Sequence, residues 1–130
     1  MSRPTSEHPT ELELQILKIL WQSSPQLVRD IRDALANAGR DIAHTSVTTA
    51  LTTMFDKGYL KRKKRNNAFL FSPDITEDEV SEKMVGNLVN RMFDGSASAL
   101  MLNLFEKSEI DEEELKELRR TLNRKLRESK

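Results

Sequence analysis

Apolar positions along this chain recur mostly at helical intervals, interrupted once by a short alternating stretch. Leu12, Ile16, Ile19 and Leu20 form a first stripe, widened by Leu14, Leu17 and Trp21. Thr10 stands three residues before Glu13, the spacing of a capping box, so the pattern predicts a helix from Thr10 to about Gln22. Ser23-Ser24-Pro25 breaks it. Val28, Ile31 and Leu35 mark a second helix ending near Gly39, a residue suited to a left-handed terminator.

A third helix, from about His44 to Lys57, is amphipathic in an unusual way. Val47, Ala50, Leu51 and Met54 share one side, while Thr45, Thr49 and Thr52 fall opposite, flanked by Thr48 and Thr53. Threonine is a mediocre helix former, and an ordinary solvated face is better served by Glu and Lys. Short hydroxyls and methyls suit base edges and phosphates, so this face reads as a nucleic-acid recognition surface. For the helix taken alone, a threonine-rich surface in a bundle is the plainer alternative. Gly58 ends the helix, and two short strands are predicted at Tyr59 to Lys64 and Ala68 to Ser72, joined through Asn66-Asn67. The first strand and the tip carry five consecutive cations, Lys61, Arg62, Lys63, Lys64 and Arg65. Such a run does not belong in a core, but it suits a wing that meets phosphates.

Pro73 opens a second region. Thr76 and Glu79 repeat the capping-box spacing, and Val80, Met84, Leu88 and Met92 form an i, i+4 stripe. Asp94-Gly95-Ser96 punctuates. A short helix from about Ala97 to Glu106 is apolar around much of its circumference through Leu100, Met101, Leu102, Leu104 and Phe105. Asp111 with Glu114 begins the last helix, where Leu115, Leu118, Leu122 and Leu126 recur and an acidic start and basic finish complement the helix dipole. Three helices in so short a stretch cannot enclose one another, so a partner must cover the stripes. A second copy is the simplest partner, with Leu88, Met92, Leu100, Leu104, Leu115, Leu118 and Leu122 at the dimer interface. Folding back onto the front half is the alternative. The expected organisation is a disordered lead over residues 1–8, a winged helix-turn-helix over 9–73 and a three-helix dimerisation region over 74–130. The fold class is mainly α with a small β-hairpin wing.

The 130 residues carry zero net charge, which argues against nucleic acid until the charge is counted by segment. Residues 1–72 hold 11 Lys and Arg against 7 Asp and Glu, and residues 73–130 hold 10 against 14. This asymmetry predicts a DNA-facing front and an acidic rear that phosphates would repel. Cysteine is absent, which excludes disulfides and thiolate metal sites. No apolar run reaches the roughly 20 residues needed to span a bilayer, so no membrane insertion is expected and the location expected is cytoplasmic.

Catalysis finds little support. The only histidines are His8, in the lead, and His44, at the start of the third helix, where a phosphate-contacting or helix-start role fits best. The acidic run from Asp111 to Glu114 reads as a dipole complement. The four glycines are scattered, with no phosphate loop, and no cofactor is expected. The reading is a non-enzyme in which His44, Thr45, Ser46, Thr48, Thr49, Thr52 and Thr53, with Lys61 to Arg65, contact double-stranded DNA. A winged-helix interaction module that binds an acidic protein is the rival from another class.

Several segments in register across both halves carry a resemblance to a family. They are Lys57-Gly58-Tyr59-Leu60-Lys61-Arg62 leading into Phe69-Leu70-Phe71-Ser72-Pro73, then Leu88 to Ser96, Ala99-Leu100, and Glu113 to Leu118. Together the chain resembles the BlaI/MecI-type penicillinase repressors over about residues 9–126. The resemblance implies a homodimeric winged-helix transcriptional repressor that binds a palindromic operator. It also implies release through a membrane-bound sensor protease, with the cut falling between Asn103 and Leu104. Two departures from the family pattern stand out. Leu104 followed by Phe105 occupies the place of an aromatic residue after the asparagine, and Thr45, Thr48 and Thr53 stand where better-known members carry Lys or Arg. The cysteine cluster of the copper-responsive branch is absent.

Overall fold

The computed structural model describes residues 8–129. The lead expected over residues 1–8 lies outside the described residues except for His8. The chain divides into two compact units, one up to Asn87 and one from Leu88.

The first unit begins with α1 (Glu11–Gln22). Its capping box is formed: Thr10 Oγ1 accepts from the Glu13 N–H at 3.3 Å, and the Glu13 carboxylate accepts from the Thr10 N–H at 2.9 Å. Ile16, Leu17 and Leu20, one stripe of α1, are buried. A two-residue strand, β1 (Gln26–Leu27), precedes α2 (Val28–Asn37), which buries Ile31 and Leu35. Gly39 takes φ +96° just past α2, where a side chain would be strained. There its N–H reaches the Ala36 carbonyl and the Arg40 N–H the Leu35 carbonyl, which satisfies the helix end.

Then follow α3 (His44–Asp56), β2 (Leu60–Arg65) and β3 (Ala68–Pro73). Val47, Leu51 and Met54 on α3 are buried. The first hairpin strand starts one residue later than its pattern suggested, because the Tyr59 N–H closes the end of α3 on the Met54 carbonyl at 2.9 Å. The turn is tight, with Arg65 opposite Ala68 and Asn66 at φ +57°, a conformation asparagine tolerates. The sheet is antiparallel in the order β1-β3-β2, with Gln26 opposite Phe71 and Leu27 opposite Leu70. Strand β1 was not expected; two residues are too few for any periodicity to register.

Next comes α4 (Glu77–Met92). Ile75, Val80 and Met84 pack into or against the first core, and Trp21 Nε1 donates to the Ile75 carbonyl at 2.9 Å. The division between units therefore falls inside α4 instead of at Pro73, because the first core needs these apolar groups as cover.

The second unit holds the end of α4, then α5 (Ala97–Lys107) and α6 (Glu112–Glu128). Ser96 Oγ caps α5 by accepting from the Ala99 N–H at 3.1 Å, and the Asp111 carboxylate caps α6 by accepting from the Glu114 N–H at 2.8 Å. No residue of α5 or α6 is buried. Among the described residues no helix is long and apolar enough to cross a membrane.

One ion pair ties the first unit together. Lys57 Nζ lies 3.0 Å from both carboxylate oxygens of Glu13, whose side chain is only 5% exposed. It joins the start of α1 to the end of α3. Lys57 also lies 5.7 Å from the Tyr59 ring centre. Burial pushes the Tyr59 phenol above its ordinary value of 10.0, and the Glu13 charge adds to the rise.

Candidate nucleic-acid interface

The residues expected to contact DNA all lie in the first unit and all are exposed. They do not form one continuous row. His44, Thr48 and Thr52 look from α3 into a cleft of about 600 Å³ whose other walls include Arg29, Arg62, Asn67 and Phe69. Thr45, Ser46, Thr49 and Thr53 line a shallower groove of about 440 Å³ beside Thr10 and Leu12 of the α1 start. The helix therefore stands out as a ridge with hydroxyl-bearing residues on both flanks, a shape suited to insertion into a groove of matching width.

Three of those hydroxyls are turned back on the helix. Thr48 Oγ1 donates to the His44 carbonyl at 3.0 Å, Thr49 Oγ1 to the Thr45 carbonyl at 2.9 Å and Thr52 Oγ1 to the Thr48 carbonyl at 2.9 Å. Periodicity identifies the face but carries no information about which way a hydroxyl proton points.

The cationic run is divided by the pleat. Successive side chains of a strand point to opposite faces, so Lys61, Lys63 and Arg65 share one face of β2, and Arg62 and Lys64 share the other with the buried Leu60. Arg62 stands opposite Phe71 in the register. Its guanidinium carbon lies 4.0 Å from the Phe55 ring centre and 4.5 Å from that of Phe69. A planar cation stacked on two aromatic rings loses much of its freedom even though, like Lys61, Lys63 and Arg65, it is exposed. Arg62 is thus built into the wall between α3 and the wing.

Phe55, Phe69, Asn67 and Arg29 also line or wall this site, and none of them was expected from the sequence to contact DNA. A signal for Phe69 existed. With a two-residue turn at Asn66-Asn67, counting back along both strands brings Arg62 opposite Phe71 and diagonal to Phe69. Phe55 and Arg29 come from other elements, and no local pattern ties them to the wing.

In the second unit, Leu115, Leu118 and Leu122 line an apolar groove of about 510 Å³ with Met101 and Phe105. Leu88, Met92 and Leu104 are exposed elsewhere on the unit and Leu100 is half-buried. Leu122 is 60% exposed and Met92 69%, values that single leucines or methionines reach on any surface but that a whole set rarely shares. Asn103 and Leu104 lie within α5, and the Leu104 carbonyl accepts from the Ser108 N–H at 2.9 Å. No group of three or more His, Asp or Glu placed to hold a metal occurs among the described residues.

Residues 9–124 match the family model described as penicillinase repressor. The methicillin resistance regulatory protein MecI of Mammaliicoccus sciuri is 28% identical over 113 residues, covering 87% of this chain and 91% of the relative. The transcriptional regulator BlaI of Mycobacterium tuberculosis is 32% identical over 114 residues, covering 86% and 80%. Among solved structures, the DNA-binding domain of the repressor BlaI superimposes with a TM-score of 0.51 at 21% identity, over 59% of this chain and 93% of that one. That likeness shows the winged-helix fold.

Proposed function

The chain belongs to the penicillinase repressor family, and from that premise we propose that it acts as a homodimeric DNA-binding transcriptional repressor recognising a palindromic operator. The observation that carries the reading is the cleft in which the threonine face of α3 and the basic wing share walls. Two copies would pair through the apolar faces of the second unit and set their α3 helices in successive major grooves, roughly 34 Å apart. The α3 residues His44, Thr45, Ser46, Thr48, Thr49, Thr52 and Thr53 would meet base edges and nearby phosphates. Lys61, Lys63 and Arg65 would grip the backbone, adding affinity with little sequence information. A dimer seated over a promoter excludes the polymerase, and repression follows.

Release by a membrane-bound sensor protease, cutting between Asn103 and Leu104, completes the proposed cycle. Both residues are helical, so the cut requires α5 to open locally; within the single chain that helix buries no residue that would oppose the opening. Cleavage would remove α6 from the pairing surface and leave the DNA-binding unit without its partner.

A gel-shift titration on the DNA upstream of the gene is the direct test; equal affinity for a scrambled duplex would remove the specific-repressor claim. Lys63→Ala and Arg65→Ala are each expected to reduce the slope of log affinity against log salt by about one. Arg62→Lys keeps the charge but loses planar stacking. It is expected to weaken binding about fivefold with the salt slope unchanged. An acidic protein partner with no DNA retention would instead favour the interaction-module reading.

A further inference from the structure

The ridge formed by Thr48, Thr49 and Thr52 has spent its donors. Each hydroxyl carries one proton, and in all three residues that proton is given to a carbonyl one helical turn back. What each oxygen retains is acceptor capacity. With the oxygen bonded to the preceding turn, the methyl group is the other Cβ substituent that each of these exposed side chains has to offer a base edge. From His44 to Phe55 the helix contains no Lys, Arg, Asn or Gln.

Base edges in the major groove sort sharply against such a surface. Guanine offers the acceptors N7 and O6 and is read by donors, above all arginine and lysine, which this helix lacks. Thymine offers a 5-methyl group, and adenine and cytosine offer an amino group that an acceptor oxygen can meet. We infer that α3 discriminates its operator chiefly through the 5-methyl groups of thymine, packed against the methyls of Thr48, Thr49 and Thr52. The inference rests on the repressor reading and adds to it the chemistry by which one sequence is preferred over another. It also divides the labour within the first unit: the wing cations supply affinity that any duplex can draw on, and a nearly uncharged helix supplies preference.

The test uses the full-length protein and a duplex selected from random DNA, remade with deoxyuridine in place of thymine in each half-site. That change deletes one methyl and leaves base pairing and O4 intact. Burial of one methyl-sized group corresponds to about a fourfold change in affinity, so a half-site with two contacted thymines is expected to weaken about tenfold or more. In the variant Thr48→Ser/Thr49→Ser/Thr52→Ser the same uracil duplex is expected to bind no worse than the thymine duplex, since the protein's own methyls are gone. Selected DNA that binds tightly and is indifferent to uracil in the wild-type protein would overturn the inference and leave the repressor reading standing. No preference for the selected duplex over a scrambled one would overturn the repressor reading itself.

Discussion

Replacing Leu118 and Leu122 with glutamate is expected to leave the protein monomeric at micromolar concentration and to lower operator affinity about 10²- to 10⁴-fold, the advantage that linkage of two binding modules confers. Both leucines line the apolar groove of the second unit with Met101 and Phe105 and are 43% and 60% exposed in the single chain. Fully covering a leucine is worth about 1.5–3 kcal/mol, and a dyad repeats every substitution in the partner. The double variant would therefore place four carboxylates where four leucines had been covered. Neither residue belongs to the core of the first unit, so that unit is expected to stay folded. Trp21, hydrogen-bonded to Ile75 within it, provides a fluorescence signal for its integrity. Sedimentation equilibrium and gel shift read the two effects separately. A variant that remains dimeric would mean that copies pair through another surface.

Glu13→Ala is expected to cost the first unit about 3 kcal/mol, because it strands the Lys57 ammonium and removes half of a capping box at once. The Lys57 side chain is 17% exposed, so water relieves part of the loss. A loss of this size in a domain of such length corresponds to a fall in Tm of roughly 12–24 °C. Replacing both partners, Glu13→Leu with Lys57→Met, is expected to recover most of that stability, since no charge is then left without its mate. Thermal unfolding followed by Trp21 fluorescence checks both; a double variant as unstable as the single one would show that the pair does more than cancel its own burial.

The same pair reaches Tyr59, the one tyrosine of the chain, whose ionisation can be followed by absorbance without interference from another. Its phenol is raised above 10.0 by burial first and by the Glu13 charge second. A folded-state pKa above the unfolded one means that the folded protein holds the proton more tightly. The stability so contributed is present below pH 10 and is lost as pH rises through the raised value. Glu13→Gln removes the second cause and is expected to move the titration partway back towards 10.

Much of the fold was legible in the residue pattern. Thr10 with Glu13, Thr76 with Glu79 and Asp111 with Glu114 marked three helix starts, since a cap is a local event between neighbours in sequence. The threonine face of α3 and the basic strand were equally visible. The partnership of β1 with β3 was not, and neither was the aromatic sandwich around Arg62, because Phe55, Arg62 and Phe69 meet only after the hairpin folds onto the end of α3.

By itself, then, the order of residues determined the helices, the hairpin and the apolar stripes of the rear, which follow from periodicity and capping over a few turns, and the net positive balance of the front half, which follows from a simple count. Only the tertiary structure decided that the first core extends into α4, that Glu13 is sealed against Lys57 from the far end of α3, and that the pleat splits the cationic run into a stacked arginine and an open face. It also decided that the threonine hydroxyls turn inward along their own helix. The physical reason is the same in each case. Which groups are buried and which way a polar atom points depend on neighbours far along the chain, and no local pattern encodes their positions.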